Sequence, residues 1–246
     1  MEKIFENNIY QGDYQDLIKP IPDGSIDYII TDPPYGTTNN KWDKRPDIAF
    51  MFREFKRVIK PNGAICVFGQ EPFASEMRLG SGCFRYDWIW QKQQGMGFLN
   101  ANKMPLRDYE IISVFYKKSP TYNPQFAEGT PYVSRQGIFT KTYGSHKSNI
   151  VTVNDGVRYP KTIQKFLSDK EKLHPTPKPL ALIEYLIKTY TNPGELVLDC
   201  FLGSGTTAVA AINTGRKYIG FELDAEYFAT CQRRIADAQA ATAPQP

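Results

Sequence analysis

The chain has 246 residues, of which 41% are hydrophobic and 13% aromatic, and it carries a net charge of +4. This length predicts one large domain, or a domain with a substantial insertion, and the apolar content is sufficient for a core. No apolar run approaches the roughly 18 residues of a membrane span, and the N-terminus does not resemble a signal peptide, so a cytoplasmic protein is expected. With two histidines and four scattered cysteines, we expect reduced thiols and no metal site.

The chain begins with a predicted strand near residue 9, followed by a loop that contains Asp13 and a short helix around residues 14–19. Asp13 comes directly after the predicted strand. Its carboxylate is equally well placed to cap the following helix or to reach the polar edge of a ligand. Both interpretations stay open at this point.

The segment Tyr28–Thr31 is apolar and β-branched, and it predicts a buried strand that ends at Asp32-Pro33-Pro34-Tyr35. Neither proline has an amide hydrogen, so the strand cannot continue through them. The result is a stiff segment with one carboxylate, one free carbonyl and one aromatic ring. It can stack on a flat ring that carries an amino group, with Asp32 and the Pro33 carbonyl accepting both amino hydrogens. The alternative is a proline turn with a surface aspartate.

Helices and strands alternate after this segment, which is typical of parallel βαβ units. Residues 37–44 are predicted to form a mobile loop beside the site. Apolar residues at helical spacing predict a helix over residues 47–60, and the polar, glycine-rich segment 92–98 is expected to be a loop near the ligand. The predicted strands of this part of the chain are 64–68, 86–90 and 111–115.

The segment 118–172 lacks regular periodicity and is rich in aromatic and basic residues. Between residues 117 and 165 there are eight basic residues and two acidic ones, which leaves the rest of the chain slightly acidic. A basic, aromatic insert indicates an anionic partner and suits contacts with phosphates and bases, although an ordinary solvated loop has a similar composition. The residues predicted to contact such phosphates or bases are Lys117, Lys118, Arg135, Lys141, Lys147, Arg158 and Lys161.

Regular structure is predicted to return after the run His174-Pro175-Thr176-Pro177-Lys178-Pro179, with an amphipathic helix that starts near Leu180. Two strands and two helices complete the pattern. The tail over residues 240–246 is of low complexity and is expected to be disordered.

A strand, a glycine loop, a helix and a strand that ends in an acid form a nucleotide-binding arrangement near the C-terminus. The strand Leu196–Phe201 leads into Gly203-x-Gly205, and Glu222 ends the following strand, where it can accept hydrogen bonds from ribose hydroxyls. This loop alone does not exclude NAD, because dinucleotide enzymes tolerate Ala208 in place of a third glycine. Its late position predicts a circularly permuted sheet, in which the glycine loop and the proline segment lie at the same edge.

With both segments in place, the chain resembles the S-adenosylmethionine-dependent DNA amino-methyltransferases of the β class. In that class an Asp-Pro-Pro-Tyr motif comes first, a target-recognition segment lies in the middle and the glycine loop comes last. The match runs from about Ile9 to Ala236. It depends on the tetrapeptide at 32–35, the His-Pro-Thr-x-Lys-Pro run at 174–179 and Phe201-x-Gly203-x-Gly205-Thr206-Thr207.

The resemblance implies an α/β fold with a Rossmann-like, mostly parallel, circularly permuted sheet and helices on both faces. It implies a catalytic domain over residues 1–117 and 173–239 and an irregular target-recognition insert over 118–172. Asp32, Pro33, Pro34 and Tyr35 are then the catalytic motif. The expected cofactor residues are Asp13 at the adenine, Glu222 at the ribose hydroxyls, His174 and Lys178 near the methionine end, and Asp199, Phe201, Gly203, Gly205, Thr206 and Thr207.

The resemblance also implies the reaction, which is direct methylation of the exocyclic N6 amine of a flipped adenine in double-stranded DNA. Asp at the first position of the tetrapeptide favours adenine, since cytosine-N4 enzymes more often carry Ser there. Cytosine-N4 methylation is the main alternative, and an NAD-dependent oxidoreductase, a DNA-binding module without activity and a methyltransferase of protein glutamine or RNA are weaker ones. A homodimer, a cognate restriction endonuclease and a bacterial, archaeal or phage origin are compatible with the family.

Overall fold

The computed structural model describes residues 4–36, 44–136, 150–169 and 177–242. The strands are β1 (Asn8–Gln11), β2 (Ile26–Thr31), β3 (Ile59–Gly69), β4 (Phe84–Met96), β5 (Arg107–Phe115), β6 (Ala127–Glu128), β7 (Tyr132–Gln136), β8 (Ile150–Asn154), β9 (Val157–Arg158), β10 (Ile163–Lys165), β11 (Leu196–Asp199) and β12 (Lys217–Glu222). The helices are α1 (Tyr14–Leu17), α2 (Ile48–Val58), α3 (Phe73–Ser81), α4 (Leu180–Tyr190), α5 (Thr206–Asn213) and α6 (Ala225–Thr242), and Phe98–Asn100 forms one 3₁₀ turn.

Eight of these strands form one sheet in the order β1-β12-β11-β2-β3-β5-β4-β10. All neighbouring pairs are parallel except the two that involve β5, which runs antiparallel to both β3 and β4. The C-terminal strands β11 and β12 lie between β1 and β2, so the spatial order is permuted relative to the sequence. The prediction of a mostly parallel, circularly permuted sheet is confirmed.

Helices cover both faces of the sheet, because successive strand residues point to opposite sides. In β2, Tyr28 and Ile30 pack in the cluster that contains the apolar residues of α4, α5 and α6. Ile29 between them packs in the opposite cluster, with the apolar residues of α2 and α3. The strands that lie between two helical layers are therefore apolar on both faces, which is why β2 and β11 read as continuous apolar runs.

The chain divides into two compact units, one formed by residues 1–123 and 162–246 and the other by residues 124–161. The eight-stranded sheet belongs to the first unit. The second unit contains two short antiparallel pairs, β6 with β9 and β7 with β8. Their short length explains why the sequence of this segment carries no clear period. The assignment of 118–172 as a target-recognition insert stays a prediction.

Three expectations differ from the structure. Residues 59–60, predicted as the end of a helix, begin β3 instead, because Ile59 pairs with Ile26 of β2. The segment 92–98 is not a loop throughout, because β4 continues to Met96, which pairs with Arg107 of β5 across an irregularity in register. Residues 240–242 are the last turn of α6 rather than part of a disordered tail, since the alanine-rich sequence favours helix. The expected loop over 37–43, the histidine at 174 and residues 243–246 lie outside the described residues.

No helix in the described part of the chain is long and apolar enough to span a bilayer. Within the same residues, histidine, cysteine and acidic side chains form no group of three that could hold a metal ion. The four cysteines are free and buried, as expected from their apolar surroundings.

Candidate active site

The carboxyl ends of the parallel strands β1, β2, β11 and β12 meet at one edge of the sheet, where a cavity of about 880 Å³ opens. Both sequence segments line it: Asp32 to Tyr35 after β2, and the loop with Gly203 after β11. Ligands of open α/β sheets bind at this edge, next to the point where the strand order reverses. The structure thus brings together the two segments that the sequence analysis singled out separately. The predicted residues that line the cavity are Asp13, Asp32, Pro33, Pro34, Tyr35, Lys178, Asp199, Phe201, Gly203, Thr206, Thr207 and Glu222.

Asp32 is held on both carboxylate oxygens. Tyr35 donates its hydroxyl hydrogen to Oδ1, and Lys178 Nζ donates to Oδ2. The Tyr35 ring packs against Phe73 with 5.5 Å between ring centroids. Burial, reinforced by the neighbouring Asp32 carboxylate, raises the pKa of the Tyr35 phenol well above its ordinary value, so the phenol stays a hydrogen donor. The sequence predicted Asp32 as an acceptor but not that it already has two donors.

Lys178 lies between two carboxylates. Its Nζ contacts Asp32 and is 3.3 Å from Oε2 of Glu110, while Glu110 Oε1 pairs with Lys92. Although burial alone would raise the pKa of Glu110, the two ammonium groups hold that pKa below its ordinary value. Burial would lower the pKa of Lys178, yet Asp32 and Glu110 raise it. Glu110 and Lys178, which lie far apart in the sequence, therefore both favour their charged forms in a largely buried place.

Asp199 joins the two loops at the sheet edge. Its Oδ1 accepts hydrogen bonds from the Thr31 hydroxyl at 2.7 Å and the Phe201 amide at 3.0 Å, and its Oδ2 accepts from the Thr207 hydroxyl at 2.6 Å. Burial raises the pKa of Asp199 to about 6. The carboxylate and the Thr207 hydroxyl thus bond to each other. Their role as cofactor ligands stays a prediction, and their internal bonds show a structural role for both.

The glycine loop is closed by hydrogen bonds from both sides. Glu222 accepts from the Gly203 amide at 2.7 Å, and from the amide of Asp224 at 2.8 Å. Burial raises the pKa of the Glu222 carboxyl. Gly205 has φ of +87°, and a side chain there would approach the backbone of Cys231 to 3.2 Å, so only glycine fits without strain. Arg234 of α6 donates to the Ser204 carbonyl at 2.7 Å and fixes the loop from outside.

The position of Asp13 is compatible with both interpretations of its sequence context. Its carboxylate caps α1 by accepting from the Gln15 amide at 2.8 Å, and the residue also lines the cavity. A carboxylate has room for further donors after one capping bond, so capping does not exclude ligand contact. Next to it, Phe201 packs against Tyr14 with 4.7 Å between ring centroids. These rings form an apolar wall beside the carboxylate.

The residues predicted to contact DNA fall into three groups. Lys117, Lys118, Arg135 and Lys161 are exposed. Arg158 is used inside its own unit, where it donates to Asn154, to the carbonyl of Val157 at 3.1 Å and to Thr130, and lies 4.8 Å from the Tyr132 ring centroid. The predicted residues Lys141 and Lys147 lie outside the described residues, as does His174.

Sequence reasoning missed four residues that shape the site: Lys92, Glu110, Thr31 and Arg234. One signal was available for Glu110, since it is a charged residue directly before the apolar run of β5. A buried acid in a strand needs a cationic partner or several hydrogen donors, which indicates a polar cluster without identifying its members. The partners themselves lie on other elements and leave no local pattern.

The cavity fits a nucleoside cofactor with a charged tail. Its volume is sufficient for a ligand of that size. Asp13 follows β1 and Glu222 ends the neighbouring strand β12, where these carboxylates would accept from an adenine amine and from ribose hydroxyls. Gly203 and Gly205 leave two positions of the loop before the N-terminus of α5 without a side chain. Glu222 would hold the ribose, Asp13 the adenine, and Phe201 would pack against the cofactor.

Comparisons with known proteins agree with this geometry. A family model described as DNA methylase (N6_N4_Mtase) matches residues 26–233. The type II methyltransferase M1.MboII of Moraxella bovis is 30% identical over 251 residues, which cover 90% of this chain and 93% of that protein. The DNA adenine methyltransferase YhdJ of Escherichia coli (strain K12) is 29% identical, with 92% of this chain and 82% of that protein covered.

Solved structures share the fold. The M1.HpyAVI–SAM complex superimposes with a TM-score of 0.63 at 27% identity, over 93% of this chain and 98% of that one. The cytosine-N4-specific PvuII DNA methyltransferase gives a TM-score of 0.65 at 19% identity, over 97% and 93% of the two chains, and shows the fold alone. S-adenosylmethionine is the cofactor, in agreement with the family and the carboxylate-lined cavity. The chain belongs to the N6-adenine/N4-cytosine family of DNA methyltransferases.

Proposed function

We propose that the protein methylates the N6 amine of adenine at a specific site in double-stranded DNA. The observation that carries this proposal is that Asp32 and the glycine loop line one cavity, so that a methyl donor and an amine acceptor can meet there. Adenine is favoured because Asp stands first in the tetrapeptide and because YhdJ, 29% identical, is named a DNA adenine methyltransferase. The basic residues of the segment 118–172 support duplex DNA as the substrate.

Asp32 and the Pro33 carbonyl are the acceptors for the two hydrogens of the target amine. Bonds to both hydrogens localise the nitrogen lone pair, which is otherwise delocalised into the base. S-adenosylmethionine, when bound, supplies a methyl group on a positively charged sulfur. As the nitrogen–carbon bond forms and the sulfur–carbon bond breaks, the nitrogen becomes acidic and loses one hydrogen toward Asp32 or solvent. Positioning and electrostatics supply the rate, without a covalent enzyme intermediate.

A base inside a duplex cannot reach Asp32, so the target nucleotide has to leave the stack at a cost of a few kcal/mol. Tyr35 is proposed to offset part of this cost by contact with the flipped ring. In the structure its hydroxyl is bonded to Asp32, which orients the ring at the edge of the cavity. The type II relatives support a role in restriction–modification, with a cognate nuclease and a homodimer as proposed partners.

The experiment is methylation of unmethylated genomic DNA by the purified protein, followed by mass analysis of the nucleosides and by single-molecule sequencing. N6-methyladenine at one short motif is the expected product. Detection of N4-methylcytosine instead would mean that cytosine is the target base. If the protein binds S-adenosylmethionine but forms neither product, the proposed activity is refuted. An Asp32→Ala variant tested in parallel is the control for contaminating methylases.

A further inference from the structure

The arrangement around Asp32 contains a conflict with the proposed function. Asp32 has to accept a hydrogen from an amine whose nitrogen gains positive charge as the methyl group arrives. In the structure, however, the Lys178 ammonium already bonds to Oδ2 and the Tyr35 hydroxyl to Oδ1. The Lys178 ammonium and the target amine, which becomes positive during methyl transfer, would repel each other if both were bonded to Asp32, and each bond would be weaker. A productive complex is therefore favoured if Lys178 has another carboxylate to bond.

Glu110 is that second carboxylate. Its Oε2 is 3.3 Å from Lys178 Nζ, and this oxygen is buried, with no partner in hydrogen-bond geometry among the described residues. The residue is 5% exposed and is fixed in β5 opposite Trp90 of β4. Its other oxygen is held by Lys92, so the group cannot turn away. A buried oxygen with spare acceptor capacity thus points at the ammonium.

Lys178 can reach Glu110 without leaving its pocket. Its side chain is 10% exposed, and Nζ lies 5.0 Å from the centroid of the Phe68 ring, whose face stabilises a cation. Both carboxylates lie within ion-pair distance of the same ammonium. A small change in side-chain torsion shortens one contact and lengthens the other, and no charge is exposed to water or left unpaired.

We propose that Glu110 is a positioning residue that takes over the Lys178 ammonium when the target amine engages Asp32. The inference rests on the proposed function. The exchange moves no proton and breaks no covalent bond: Lys178 stays charged, its hydrogen bond passes from Asp32 to Glu110, and the freed Oδ2 accepts from the amine. Glu110 lines the cavity, whereas Lys92 is not among the residues that line it.

The test uses Glu110→Gln in the full chain, which keeps the shape of the side chain and removes its charge. We expect the single-turnover rate of methyl transfer to fall by roughly 10- to 100-fold, while the dissociation constant of S-adenosylmethionine changes by less than about threefold. Glu184→Gln is the matched control, because Glu184 also faces a lysine, Lys188 at 3.9 Å, but is not among the residues that line the cavity. It is expected to retain the wild-type rate.

Two further variants separate positioning from simple structural support. Lys92→Met leaves the charge of Glu110 in place but releases its Oε1, so this variant is expected to lower the rate less than Glu110→Gln does. An equal loss in the two variants would mean that Glu110 acts only through its structural pair with Lys92, and would overturn the inference. The double variant Glu110→Gln/Lys92→Met leaves no buried unpaired charge and is expected to fold and to be as slow as Glu110→Gln. A wild-type rate in either Glu110 variant would also overturn it, whereas an inactive wild type would refute the proposed function itself.

Discussion

The two ends of the cavity treat negative charge in different ways. At the Asp32 end, carboxylates face ammonium groups, with Lys178 between Asp32 and Glu110. At the glycine-loop end, Asp199 and Glu222 are held by hydroxyl and amide hydrogens, and no ion pair to either occurs in the described part of the chain. The pKa values follow this difference: that of Glu110 is lowered, whereas burial raises that of Asp199 to about 6 and that of Glu222 above its ordinary value.

This difference indicates which end of the cavity can bind its ligand without a change in the partners of its carboxylates. A buried carboxylate that only neutral donors hold is still available to hydroxyls, an amine or a positively charged group, so the glycine-loop end suits the cofactor as it stands. A carboxylate already paired with lysine has to change partners before it can accept from a new amine. We therefore expect the Asp32 end to rearrange when the substrate binds, and the glycine-loop end to accept the cofactor without a change of partners.

The largest effect is expected from Asp32→Ala. Loss of the acceptor for the target amine lowers methyl transfer by at least about 1,000-fold. S-adenosylmethionine binding changes by less than about threefold, since Lys178 keeps Glu110 as a partner and the glycine loop is untouched. Calorimetric titration with the cofactor and a radiolabelled methylation assay measure the two quantities. Unchanged turnover, or a parallel loss of cofactor binding, would erase the distinction between the two ends.

Asp199→Asn tests the glycine-loop end through the pH dependence of the free energy of unfolding. Burial raises the pKa of Asp199 from its ordinary value of 3.8 to about 6. The folded protein therefore binds the proton of this carboxyl more tightly than the unfolded chain does. The stability that this group contributes is present below about pH 4 and is lost as the pH rises to about 6. Relative to Asp199→Asn, the wild type is expected to lose about 3 kcal/mol of unfolding free energy across this window.

Urea unfolding of both proteins from pH 4 to pH 7 measures this difference. Asp237→Asn on the exposed side of α6 is the control and should leave the pH dependence of the wild type unchanged. If wild type and Asp199→Asn run parallel over the whole range, Asp199 does not retain its proton through burial.

A smaller effect is expected from Glu222→Gln. The charged acceptor for the ribose is lost, and one of the amides of Gly203 and Asp224 then faces an NH₂ group, so affinity for S-adenosylmethionine falls by roughly 10-fold. Glu226→Gln, at an exposed position in the first turn of α6, is the matched control. Equal affinities of the two variants would remove Glu222 from the cofactor site.

Much of the fold follows from local features of the sequence. The apolar run before Asp32 and the two prolines after it define where β2 ends, and Gly203 and Gly205 define the turn into α5. Parallel strands then bring both segments to one edge, which confirms the predicted permuted sheet. The errors lie where a partner overrides local preference. Residues 92–96 look like a polar loop, but β4 continues through them to Met96, which pairs with Arg107 of β5.

The sequence by itself thus determined a mostly parallel, permuted sheet and the two loops at its edge, because strand ends, turns and apolar periods depend on residues a few positions apart. Only the tertiary structure decided how the carboxylates are paired. Lys178 meets Asp32 across 146 positions of the chain, and Thr31 meets Asp199 across 168. Such contacts leave no local signal, since ionic and hydrogen-bond partners inside a protein are selected by the packing of distant elements.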